Sequence, residues 1–204
     1  MITLYHSPFT RSHLVRFALE ELALPHEIVR VDVPAGAHKS AEYMRVHPLG
    51  QLPALVDDGR TLLECGAIVM HLGDKAPEKG MAPPVGTLDR ATYYQWVLYA
   101  FATELFALSK IAMHTQFLPE PARVAAIAED GKRAWPAVAR VIANETRGRS
   151  WLLGDRFTMA DVVVGGSLWL ANLIGVLGDD PDLVAYYRRV SGRPAFRTAF
   201  GDAA

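Results

Sequence analysis

Up to about residue 77 the chain alternates between runs with strand-like and helix-like spacing of apolar positions. The first, MITLYH, is a short β-type run that stops at Ser7-Pro8. A helix is predicted next. In TRSHLVRFALEELAL the apolar positions Leu14, Val15, Ala18, Leu19 and Leu22 share one face, while Arg16 and Glu20 form an i,i+4 pair on another. HEIVRVDV reads as a second strand and SAEYMRVHP as a short helix or loop. LPALVDDGRTLLE reads as a hairpin turning at Asp58-Gly59, and CGAIVMHLGDK as a third helix. The predicted order is βαβ followed by αββα.

From Ala76 to Val85 the segment APEKGMAPPV concentrates proline and glycine, as a connection between folded units does. Everything beyond it has helical spacing. The boundaries are expected at 1–77 for an α/β unit, 78–86 for the linker and 87–204 for an all-α unit. The second unit begins with a long aromatic-rich run, TLDRATYYQWVLYAFATELFALSKIAM. A further helix follows, with a bend expected at Trp135-Pro136. The longest uncharged stretch, VVVGGSLWLANLIGVLG, is short for a membrane span and holds four glycines, so it is expected to be a buried core helix. Thr158, three residues ahead of Asp161, has the spacing of a capping box with Asp in the place of the usual Glu or Gln.

Composition narrows the function. The formal net charge is −1 and no lysine or arginine run stands out, which argues against nucleic acid or an anionic membrane as partner. The lone Cys65 excludes an intramolecular disulfide, and the first residues lack the regions of a signal peptide, so a reducing cytoplasm is expected.

Taken together, SPFTRSHLVRFALEEL, HPLGQLPALVDDGRTLLECGAI and FTMADVVV resemble the glutathione transferase superfamily in order and spacing, over essentially the whole chain. The resemblance implies a thioredoxin-like N-terminal domain and a helical C-terminal domain. It also implies a cis bond between Leu52 and Pro53, which presents the backbone of Leu52 to the cysteinyl part of glutathione as an added strand. Glu64 and Cys65, opening the third helix, correspond to the corner that holds the γ-glutamyl end, where the family usually has serine in place of Cys65. A thiol is a weaker hydrogen-bond partner than a hydroxyl, so Cys65 is expected to weaken binding and Cys65→Ser to tighten it. Matching positions for the glycine end are Gln51 and Lys39, with His38 the alternative to Lys39.

Glutathione transfer needs a thiolate, and a free cysteine thiol has a pKa of about 8.5. Lowering it by about two units raises the ionised fraction at neutral pH roughly 25-fold, a differential stabilisation of about 2.7 kcal/mol. A hydrogen-bond donor beside the sulfur supplies a stabilisation of that order. Ser7, Thr10 and Ser12 occupy the right stretch, while Tyr5 lies inside the first strand. Pro8-Phe9-Thr10-Arg11-Ser12 resembles the P-x-S-R-S pattern of serine-type bacterial members, which makes Thr10 the first candidate and Ser12 the second. Arg11 would add positive potential or bind a glutathione carboxylate, and Thr10 could equally be an ordinary helix cap. Cysteine-type members carry a cysteine in this stretch and others a histidine where Phe106 stands, and this chain has neither. Phe9, Phe106, Met113 and Phe117 are expected to offer apolar surface to a second substrate.

The resemblance therefore implies a glutathione transferase acting on small apolar electrophiles, with glutathione as co-substrate and neither metal nor other cofactor. A non-catalytic glutathione-binding protein of the same fold, or a glutathione-dependent isomerase, dehalogenase or disulfide reductase, are the alternatives. A homodimer is expected, because YYQWVLYAFATELF carries more aromatic surface than one helix needs for its own core.

Overall fold

Strand β1 (Ile2–His6) turns Ile2, Leu4 and His6 inward and leaves Thr3 and Tyr5 half-buried, the period-two pattern of a sheet with one covered face. Helix α1 (Ser12–Leu22) crosses over from β1 to β2 (His26–Arg30), which pairs parallel to β1. All five apolar positions assigned to one face of α1 are buried. Helix α2 (Ala41–Met44) is a single turn capped by Ser40, whose hydroxyl accepts from the Tyr43 N–H at 3.1 Å. β3 (Ala54–Asp57) pairs antiparallel with β1, and β4 (Arg60–Leu62) completes a sheet of order β2-β1-β3-β4. The hairpin turns through Asp58 and Gly59, at φ 48° and 82°, as its Asp-Gly signal requires. Helix α3 (Cys65–Lys75) buries Ile68, Val69 and Leu72, and its last turn is tied to the sheet by His71 and Lys75. Their Nε2 and Nζ donate to Asp57 Oδ2 at 2.8 and 2.9 Å. The expected βαβ-αββα order is the one observed.

The structure is a computed structural model describing residues 1–201, with two compact units: Met1–Ala82 joined by the segment from Arg193 onward, and Pro83–Gly192. In the second unit, α4 (Leu88–Tyr99) and α5 (Leu105–Ala112) belong to one helical run, Leu88–Phe117. Two π turns, Ala100–Glu104 and Met113–Phe117, lie within it. By length and composition this run could cross a bilayer, and half of its apolar window is buried inside the protein. Helix α6 (Ala125–Thr146) is continuous through Pro136, which lies on its exposed side. At Gly131 a Cβ would meet the Ala107 carbonyl oxygen at 2.9 Å, so glycine is what lets α6 approach α5 this closely.

Helix α7 (Met159–Leu173) is buried over most of its surface, as its uncharged sequence requires. It begins with the capping box read from the sequence: the Thr158 N–H donates to Asp161 Oδ2 at 2.9 Å and the Thr158 hydroxyl accepts from the Ala160 N–H at 3.3 Å. Asp161 does more than cap. It is fully buried, and its Oδ1 also accepts from the Leu152 N–H at 2.9 Å and from the hydroxyl of Tyr186 on α8 (Pro181–Ser191) at 3.1 Å.

Glu104, the last residue of the first π turn, is fully buried, and among the described residues neither of its carboxylate oxygens has a hydrogen-bond partner. Desolvation pushes its pKa well above the ordinary value of 4.5. The native state therefore holds the proton more tightly than the unfolded chain does. This stability is fully present below about pH 4.5 and is lost as pH rises through the native pKa. Glu104→Gln is expected to raise the thermal midpoint at about pH 8 and to lose that advantage on acidification to the usual carboxylate range. Equal pH profiles of the two proteins in thermal denaturation would contradict this.

Helix α9 (Pro194–Phe200) belongs with the first unit, whereas the sequence reading placed all residues after 87 in the second. Long-range contacts to α1 are the reason. Arg193 forks onto Glu21 at 2.5 and 2.7 Å, Phe196 meets Phe17 edge-on, and Phe200 stacks on His13 at 5.0 Å between ring centroids.

Candidate active site

The loop from β1 to α1 carries the candidate hydroxyls and separates them by burial. Ser7 and Ser12 are 2% and 0% exposed, whereas Thr10 is half-buried and adjoins the exposed Phe9 and Arg11. The second candidate, Ser12, lies in the interior: α1 begins at Ser12 and its first turn packs against β1. The Ser12 hydroxyl lies 2.7 Å from His6 Nδ1 and 2.6 Å from Thr10 Oγ1. Thr10 Oγ1 donates to the Ser7 carbonyl at 2.8 Å and accepts from the Ser12 N–H at 3.3 Å. This is a local turn and not a standard cap, since the residue at the cap position of α1 is Arg11.

Phe9 is held at φ 59°, a left-handed conformation costly for a bulky side chain, and its N–H donates to His13 Nε2 at 3.1 Å. His13 Nδ1 lies 2.6 Å from the Ala199 carbonyl, which can only accept, so the ring is the neutral Nδ1–H tautomer. The loop is therefore braced from α9.

The N-termini of α1 and α3 meet: the Cys65 thiol donates to the Arg11 carbonyl at 3.5 Å. Two positive dipole ends thus converge, with the Arg11 guanidinium adding charge; the first N–H groups of α1 are already bonded, Ser12 to Thr10 Oγ1 and His13 and Leu14 to the Thr10 and Arg11 carbonyls. Cys65 itself is 4% exposed, and burial pushes its thiol up to about 12, partly offset by Arg11. Its thiol is thus engaged by the Arg11 carbonyl and largely closed to solvent. The expected tightening by Cys65→Ser is replaced by a different outcome: glutathione affinity should change less than about twofold. The native thiol should resist alkylation at about pH 8 until the protein unfolds. Isothermal titration and mass-spectrometric labelling check both statements. Glu64, immediately before Cys65, is exposed at φ 68° and ψ 112°. Strain of that kind is kept where a precise backbone placement is used.

On the other side of the sheet end, the Leu52–Pro53 peptide is cis, as expected. Gln51 is exposed, and its carbonyl accepts from the Tyr43 hydroxyl at 2.6 Å. Lys39 is exposed and folds back so that Nζ donates to the Leu49 carbonyl at 2.7 Å, while His38 is half-buried. Gly50, at φ 56°, allows this closure, because a Cβ there would lie 2.3 Å from the His38 carbonyl oxygen. Burial holds the His47 pKa below its ordinary value, against the pull of the Glu64 carboxylate and with the help of the Lys39 ammonium.

Phe9 is 52% exposed in the first unit, and Phe106, Met113 and Phe117 are 59%, 39% and 42% exposed in the second. Lys110 Nζ lies 4.3 Å from the centroid of the Phe106 ring. Among the described residues no three His, Cys, Asp or Glu side chains gather as a metal site needs. The sequence reading missed His6 and His13. His6 had a signal, since it continues the inward alternation of Ile2 and Leu4 to the end of β1. His13 had none, because its partner is 186 residues away.

A thioredoxin-like sheet with a cis proline ahead of β3, followed by a helical unit, defines the class of protein. Residues 1–74 match the glutathione S-transferase N-terminal domain and residues 121–189 the C-terminal domain. Glutathione S-transferase 3 of Zea mays is 30% identical across 96% of this chain and 91% of the relative. Maleylacetoacetate isomerase of Rhizobium meliloti (strain 1021) is 31% identical across 95% of this chain and 92% of the relative. The structure of glutathione transferase URE2P8 from Phanerochaete chrysosporium, solved with oxidized glutathione, superposes with a TM-score of 0.87 at 25% identity, covering 98% of this chain and 94% of that one. The chain belongs to the glutathione S-transferase family.

Proposed function

We propose that the protein binds glutathione in its first unit and adds the glutathione thiolate to a small apolar electrophile. The observation that carries this reading is the placement of the half-buried Thr10 hydroxyl where the N-termini of α1 and α3 meet, joined by the Cys65–Arg11 bond of 3.5 Å. A sulfur anion there gains a hydroxyl donor, two helix dipoles and the Arg11 charge, all of which favour the thiolate over the thiol. The backbone of Leu52 pairs with the cysteinyl residue, and the free N–H groups at Glu64 and Cys65 receive the γ-glutamyl carboxylate. Gln51 and Lys39 take the glycine end, Lys39 by releasing the Leu49 carbonyl. Phe9 offers apolar contact to the electrophile.

Turnover of glutathione with a chlorinated nitroaromatic, together with a bound-thiol pKa at least one unit below that of free glutathione, tests the proposal. Glutathione binding with neither property would overturn it. The identity shared with a maleylacetoacetate isomerase favours one second reading, glutathione-dependent isomerisation through the same thiolate. Activity toward a cis-enedione and not toward the chlorinated ring would select it.

The second unit exposes apolar side chains on α4, with Tyr94 and Leu98 at 38% and 60% exposure. Spaced i,i+4, these two share one face, and we expect that face to be covered in a homodimer. Light scattering at micromolar concentration should give about twice the 22.4 kDa of one chain. A monomer would refute the dimer.

A further inference from the structure

We propose that His6 is a positioning residue for the thiolate, holding the proton of Ser12 on Thr10 so that the Thr10 proton is free for the sulfur. The proposal rests on the reading that Thr10 donates to the glutathione thiolate.

The inference follows from counting protons. Ser12 Oγ has one proton and four polar neighbours: His6 Nδ1 at 2.7 Å, Thr10 Oγ1 at 2.6 Å, the Ser7 N–H at 3.2 Å and the Ser7 carbonyl at 3.2 Å. The Ser7 N–H can only donate and the Ser7 carbonyl can only accept. Thr10 Oγ1 also has one proton, which without a ligand goes to the Ser7 carbonyl at 2.8 Å.

When Thr10 turns that proton to a sulfur anion, the 2.6 Å approach of the two hydroxyl oxygens can be a hydrogen bond only if Ser12 is the donor. The one proton of Ser12 is then spent. At 2.7 Å from a hydroxyl oxygen that has no proton left to give, His6 Nδ1 must itself carry a proton. The relay therefore runs from His6 Nδ1–H to Ser12, from Ser12 to Thr10 and from Thr10 to sulfur. Each donor polarises the next, which strengthens the last bond of the chain, and burial of His6 and Ser12 at 2% and 0% exposure keeps water from competing. No proton is transferred and no bond to sulfur is made.

The surroundings hold His6 in this role. Its ring meets the ring of His13 edge-on at 4.9 Å between centroids, and His13 is itself held by the Phe9 N–H and the Ala199 carbonyl. Asparagine at the same place can put its amide N–H where Nδ1 stands, whereas phenylalanine fills the space without a donor.

The test combines the bound-thiol pKa, read by thiolate absorbance against pH, with single-turnover rates. His6→Phe should raise the pKa and slow the reaction about three- to tenfold, the size of one neutral hydrogen bond, with little change in glutathione affinity. His6→Asn should restore most of the loss. In the Thr10→Ala background His6→Phe should add nothing, because the relay no longer reaches sulfur.

Proton-coupled nitrogen NMR of the wild-type protein with glutathione bound should show a proton on His6 Nδ1, a readout that does not depend on any variant folding. An unprotonated Nδ1, or a thiol pKa unmoved by His6→Phe while Thr10→Ala moves it, overturns the relay and leaves the role of Thr10 standing. A thiol pKa unmoved by Thr10→Ala overturns both.

Discussion

Asp161→Ala is expected to destabilise the protein by roughly 3–5 kcal/mol, because several buried donors lose their acceptor at once. The Leu152 N–H, the Thr158 N–H and the Tyr186 hydroxyl lie 2.9, 2.9 and 3.1 Å from its carboxylate, and all are buried. Burial raises the Asp161 pKa to about 6 in spite of the hydrogen bonds it accepts, so at about pH 8 the carboxylate is ionised and acts purely as an acceptor. With the native pKa raised, the contribution of this group to stability is greatest below its unfolded pKa of 3.8 and declines as pH rises through about 6. Thr158→Ala provides the comparison. It removes one cap hydroxyl but leaves the Thr158 N–H on Asp161, and it should cost only about 1 kcal/mol. Urea denaturation of the three proteins at about pH 8 checks the order. If Asp161→Ala costs no more than Thr158→Ala, the carboxylate is only a helix cap and the extra donors find water.

Thr10→Ala is expected to raise the pKa of bound glutathione by one to two units, equivalent to about 1.4–2.7 kcal/mol of thiolate stabilisation. Near neutral pH this should lower kcat/KM roughly 3- to 25-fold, the fall in the ionised fraction. Glutathione affinity should hardly change in the same conditions, since the lost bond acts on the ionised sulfur and the other proposed contacts lie on Leu52 and on the backbone of Glu64 and Cys65. Thr10→Ser keeps the donor and should stay active. Ser12→Ala is not a clean control, because Ser12 is 0% exposed and bonded to both His6 and Thr10. Titration of thiolate absorbance for wild type, Thr10→Ala and Thr10→Ser decides the matter. If the Thr10→Ala curve overlays wild type, ionisation comes from the helix ends and Arg11, and no side-chain hydroxyl is involved.

Where pattern is local, the sequence was informative. The apolar face of α1, the Asp58-Gly59 turn and the Thr158-Asp161 box are each set by a few neighbouring residues, and each is present as read. The loop that carries the candidate hydroxyls was legible for the same reason: a strand run stops at Ser7-Pro8 and a helical run begins soon after it. What spacing could not show is which of those hydroxyls faces outward. That depends on the first turn of α1 lying over the end of β1, which buries Ser12 against His6 and leaves Thr10 half-exposed.

The remaining differences have one physical cause. Cys65 turns inward because the Arg11 carbonyl, 54 residues earlier, lies beside it, and α9 returns to the first unit because Glu21, Phe17 and His13 wait there for it. Asp161 gains a hydroxyl from Tyr186, while Glu104 is left fully buried without a partner. The sequence by itself determined the elements and their order, because hydrophobic period, turn residues and caps act over a few residues. Only the tertiary structure decided which polar groups are buried, paired or left facing a ligand, because burial and hydrogen bonding are settled by residues far apart in the chain.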